Sequence, residues 1–117
     1  MSNGIEWENS MSKAISLAKD NKKLILIDFS GGTWGACIRM ETGTFQTASV
    51  EEVINNYFVP LKYESGKSAD QFMRFSVKAT PTYVVLDADG NEIYRTIGYY
   101  EADDFISQLK IAREKAA

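Results

Sequence analysis

Residues 24–41 read LILIDFSGGTWGACIRME, and the order of events in that stretch decides the fold. Residues 24–29 form a nearly continuous apolar run, the mark of a strand covered on both faces. One carboxylate, Asp28, sits inside it. SGGTWGAC is a glycine-bearing turn, and the residues from Cys37 to Glu41 (CIRME) read as helix.

On the N-terminal side, Met11, Ala14, Ile15 and Ala18 follow the i, i+3, i+4, i+7 rule, which predicts a helix over about 10–20 with Asn9 or Ser10 as its N-cap. A short strand is expected before it at 5–7. On the other side, Ser49-Val-Glu-Glu52 reads as a capping box that opens a helix running to about Tyr57. Residues 58–63 read as a second buried strand and 68–75 as a short helix. Residues 82–86 and 92–97 are strands joined by the turn-rich 87–91. A closing helix carries Ala102, Phe105, Ile106, Leu109 and Ala112 on one face. The resulting order predicts one α/β domain over residues 1–117, with a mixed sheet and helices on both of its faces.

Composition bounds the chemistry. The 117 residues, 44% hydrophobic and 25% charged, suit one domain that needs no disulfide or metal staple. Thirteen basic against sixteen acidic residues give a formal charge of −3, which argues against a nucleic-acid or anionic-membrane partner. No apolar run approaches the ~20 residues that span a bilayer. The opening MSNGIEWENS has no signal-peptide pattern. As written the chain is expected in the cytoplasm, or in the periplasm if a leader was removed. The chain has no histidine and one cysteine, which excludes a Ser-His-Asp or Cys-His apparatus and makes a metal site unexpected. Asp87-Ala-Asp89-Gly90 lacks the rest of a ~12-residue calcium loop and is expected to be a hairpin turn.

Four separated features resemble the thioredoxin superfamily, in particular its disulfide reductase branch, over nearly the whole chain. LILIDF looks like the central strand that carries the family's buried acid, with Asp28 in that place. Cys37-Ile-Arg-Met-Glu41 is similar to the end of the family's redox motif. Phe58-Val-Pro-Leu-Lys62 looks like the following strand. Val77-Lys-Ala-Thr-Pro-Thr82 resembles the family's cis-proline loop, with Pro81 as the cis residue. The resemblance implies a thioredoxin-like fold, no cofactor, a monomer, and protein or peptide thiols and disulfides as partners.

The redox motif itself departs from the family pattern. Redox-active members carry CxxC, whereas Trp34-Gly35-Ala36-Cys37 places tryptophan where the first cysteine would be. Dithiol exchange needs one thiolate to attack and a second thiol to resolve the mixed disulfide. Cys37 is expected one helical turn in, facing the core and Asp28, as a sluggish nucleophile or simply a small buried hydrophobe. In the family the equivalent of Asp28 is the base for the second cysteine; here desolvation is expected to raise its pKa.

Trp34 is read either as an aromatic anchor for peptide ligands or as a ring folded over the old active site. Tryptophan, cysteine and selenocysteine codons differ by one base, and a native cysteine or selenocysteine at 34 would restore full dithiol exchange. The resemblance also implies a groove in which Thr80 pairs its backbone with a bound peptide beside Pro81, with Gly98 and Tyr99 as a further wall. Two functions emerge as expectations. One is a relative of thiol–disulfide oxidoreductases with an incomplete redox motif. The other is a redox-inactive module that binds peptides or proteins in the cis-proline groove.

Overall fold

The apolar run becomes the inner strand of the sheet. The computed structural model describes residues 4–31 and 35–117. In it β1 (Leu24–Ser30) lies between β2 (Phe58–Glu64), which runs parallel to it, and β3 (Thr82–Leu86), which runs antiparallel. An antiparallel β4 (Glu92–Ile97) follows β3, so the sheet order is β2-β1-β3-β4. Among the described residues the helices are α1 (Met11–Asn21), α2 (Gly35–Thr42), α3 (Ala48–Tyr57), α4 (Ala69–Arg74) and α5 (Ala102–Ala116), with a 3-10 turn at Thr44–Gln46. This is the mixed sheet with helices on both faces that the sequence order predicts.

Alternation along β1 divides the core in two. Ile25, Ile27 and Phe29 pack with Ala14 and Ala18 of α1, and with Phe72 and Phe75 in and after α4. On the opposite face Leu26 joins Met40 of α2, Val50 and Ile54 of α3, and Phe105, Leu109 and Ala112 of α5. Asp28 shares a face with Leu26, so its carboxyl is committed to the layer covered by α2.

Most local signals act as expected. Ser10 caps α1, its hydroxyl accepting from the Lys13 amide at 3.3 Å. Asp87 organises the hairpin turn, its Oδ1 accepting from the Asp89 and Asn91 amides at 3.0 and 2.9 Å. Two expectations are corrected. Residues 5–7 form no strand; instead Glu8 makes an isolated parallel bridge to Leu61, with its N–H donating to Pro60 O and its C=O accepting from Lys62 N. The Ser49 capping box is also absent. The N-cap of α3 is Thr47, two residues earlier, and its hydroxyl donates to Gly43 O rather than capping the helix. The 3-10 turn leads straight into α3, so Ser49 already lies inside the helix.

Phe105 is fully buried, with ring centroids of Tyr83 and Phe45 at 5.0 and 5.6 Å. Phe105→Ala is expected to cost about 3–5 kcal/mol, read as a lower denaturant midpoint. A loss below about 1 kcal/mol would show that this layer can collapse around the cavity.

Candidate functional site

Asp28 is 2% exposed. Its neighbours in register are Lys62 on β2 and Tyr83 on β3, so the three side chains share one sheet face beneath α2. Lys62 Nζ lies 3.9 Å from Asp28 Oδ2 and 2.9 Å from Glu41 Oε1 of α2, and 5.2 Å from the centroid of the Trp7 ring. Burial pushes the Asp28 pKa from the ordinary 3.8 up to about 7; the Lys62 ammonium opposes the rise, and Glu41 and Glu64 add to it. Desolvation wins because a lone ammonium at 3.9 Å, itself drawn to Glu41, cannot replace the water a carboxylate gives up. Asp28 Oδ1 and the Tyr83 hydroxyl are both buried without a hydrogen-bond partner among the described residues. The Tyr83 phenol is held well above its ordinary pKa, first by burial and then by the neighbouring acidic groups, Asp28 foremost.

Cys37 lies in the first turns of α2 and is 2% exposed. Its sulfur accepts a hydrogen bond from the Gly31 amide at 3.4 Å, which ties the helix back to the end of β1. Trp34 lies outside the described residues.

The other predicted residues converge on the same end of the sheet. The Thr80–Pro81 peptide bond is cis. The Thr80 side chain presses on Gly31, where an added Cβ would lie 2.8 Å from Thr80 Cβ. Only glycine lets the two loops approach this closely. Gly98 adopts φ +99 and donates its N–H to Pro81 O at 2.9 Å. Tyr99 lies under the Arg39 guanidinium of α2, 3.9 Å from its ring centroid. Tyr100 is fixed by its N–H to Met40 Sδ and by its C=O, which accepts from the Thr44 hydroxyl; its own hydroxyl bonds to Thr96. The two tyrosines are therefore half-buried struts against α2 and the turn after it.

Sequence reading did not single out Lys62, Glu41, Tyr83 or Arg39 as part of this region. A lysine and a tyrosine inside otherwise apolar strands were the available signals for the first and third. Glu41 and Arg39 look like ordinary helix-surface charges until the partners are known.

A buried acid beneath a cysteine-bearing helix, with a cis-proline loop beside it, is the constellation the sequence resemblance anticipates. A family profile described as a thioredoxin-like domain matches residues 11–113. The chain belongs to the thioredoxin-like family. A solved protein from Bacteroides thetaiotaomicron, named as a candidate disulphide-isomerase, is 26% identical, with 97% of each chain covered and a TM-score of 0.83. A thioredoxin from Thermus thermophilus is 22% identical over 100% of this chain and 89% of its own, with a TM-score of 0.79. The oxidised C-terminal domain of DsbD from Neisseria meningitidis is 16% identical over 92% of this chain and 99% of its own, with a TM-score of 0.73. The latter two show the fold. No curated protein sequence matches the chain. This thioredoxin-like chain is thus related to thiol–disulfide oxidoreductases, and its single cysteine leaves the two-sulfur motif incomplete.

The raised pKa of Asp28 has a defined sign. The folded chain holds this proton to a higher pH than the unfolded chain, so Asp28 makes stability fall as pH rises from about 3.8 to about 7, and the loss levels off above that. Asp28→Asn removes the effect. Its stability relative to the unsubstituted chain should climb over that interval, by at most about 1.4 kcal/mol per pH unit, and then stay level. Parallel stability–pH curves for the two proteins would refute the raised value.

Proposed function

We propose that this protein is a binding module that holds an extended peptide segment in the cis-proline groove and performs no dithiol turnover. The observation that carries this reading is the state of Thr80. It is exposed, it stands beside cis-Pro81, and among the described residues neither of its backbone groups is engaged in a hydrogen bond. Backbone N–H and C=O groups without a partner among the described residues are what strand addition requires, with the ligand's backbone supplying the bonds and nearby side chains the selectivity. Gly98, joined to Pro81, and Tyr99, backed by Arg39, form the adjoining wall. Ile97, 56% exposed just before Gly98, adds apolar surface. Trp34, outside the described residues, is assigned the role of aromatic anchor from its place in the sequence, three residues before Cys37.

The partner is a protein or peptide rather than a nucleic acid, in keeping with the net charge of −3, and the module acts as a monomer. Cys37 takes no part in turnover, because a buried thiol with no second sulfur can neither attack readily nor be resolved. Asp28, whose relatives' counterpart serves the second cysteine, is retained as part of the buried network under α2.

The chain as written is expected to give no turnover in an insulin-reduction assay, and measurable catalysis would overturn this reading. Trp34→Cys should restore a second sulfur and form an intramolecular disulfide with Cys37 under oxidant, detected by thiol counting. Failure to form it would mean that position 34 does not face Cys37. Peptides selected from a displayed random library on the immobilised chain should lose about tenfold in affinity on Trp34→Ala. Unchanged affinity removes Trp34 as the anchor.

A further inference from the structure

Two adjoining cavities open beside the approach to Pro81. One, of about 370 Å³, is bounded by Ala79 and Thr80; the other, of about 290 Å³, ends at Met73 and Ser76. They share Phe72, Val77 and Lys78 in their linings, so the two hollows adjoin between Thr80 and the end of α4. The far end is firmly built. Ser76 takes a left-handed conformation at φ +53, its N–H donates to Met73 O, and the Val77 N–H returns to Phe72 O at 2.8 Å. Phe72 is braced from below by Phe29, with ring centroids 5.1 Å apart.

On this rim Met73 is 78% exposed, the most open of the large apolar side chains among the described residues. A flexible, polarisable thioether held in water at the edge of an apolar hollow is suited to closing over a partner's side chain. The charge beside it is also unspent. Lys78 belongs to both cavities, and among the described residues neither it nor the neighbouring Arg74 makes an ion pair. Lys78 thus offers an ammonium to the lining that both cavities share, on a chain whose net charge is −3.

We propose that the Met73 cavity is a side-chain subsite for the bound peptide. It takes one apolar residue against Met73, Phe72 and Val77, while a nearby carboxylate of the same segment pairs with Lys78. The inference rests on the peptide-binding reading above and names the peptide class: extended, acidic and apolar. A strand paired with Thr80 sends alternate side chains to the same side, about 6–7 Å apart, which suits a ligand that passes over two adjoining hollows.

The test uses the full chain and the peptides selected on it, with affinities measured by fluorescence anisotropy. The expected result is a pool in which an apolar residue accompanies Asp or Glu, and whose affinity falls about tenfold on Met73→Asp and on Lys78→Glu. Both positions are exposed, so these variants should fold; circular dichroism checks this. Peptides weakened by Trp34→Ala but indifferent to both variants would overturn the subsite and leave the groove standing. A selection that yields no binders, or only binders indifferent to all three substitutions, would overturn the groove and the subsite together.

Discussion

A strand buried on both faces has nowhere to send a carboxylate, and β1 carries one. Placing Asp28 on the face beneath α2 puts a carboxyl into a layer built mainly of apolar side chains. Lys62 and Tyr83 flank it on the neighbouring strands, and Glu41 reaches down from the helix to share the ammonium. The arrangement is not there for stability, since a buried ion pair with an unsatisfied oxygen is at best neutral against an apolar replacement. It occupies the place where the family resemblance expects a buried acid, in a chain whose single cysteine leaves the two-sulfur motif incomplete.

The loops at that end of the sheet have kept their mutual fit as well. Gly31 yields space to Thr80, Pro81 receives the Gly98 amide, and Tyr99 and Tyr100 are fastened to α2 and the turn after it. These contacts do not involve Cys37 directly. The fit between these loops therefore rests on packing and backbone hydrogen bonds and does not require a second sulfur.

Much of this was legible in the sequence, for identifiable reasons. The apolar run of β1, the hairpin turn at Asp87–Asn91 and the one-sided pattern of α5 are strong local signals, and β3 and β4 have the expected bounds. Pro81 and Cys37 were legible because their spacing from β1 repeats a known order. The misses came where tertiary contacts outrank local preference. Ser49 has the residues of a capping box, but the 3-10 turn of Phe45 starts the helix sooner. Residues 5–7 look strand-like, yet only Glu8 reaches the edge of β2. The network around Asp28 joins residues 28, 41, 62 and 83, separations over which no periodicity speaks. The hollow by Met73 was likewise invisible, since a methionine in a helix is ordinarily taken for core.

The two outer strands of the sheet are treated differently. Glu8 borrows backbone groups from Pro60 and Lys62 and so blunts the rim at β2. At the other rim, β4 keeps a two-pronged contact between Arg95 and Glu92, and Arg95 also grips the Phe75 carbonyl. Charged groups clasped along an open margin discourage another chain from zipping onto it. Anyone wishing to weld this scaffold into fibres or paired copies would do well to begin by dismantling that clasp.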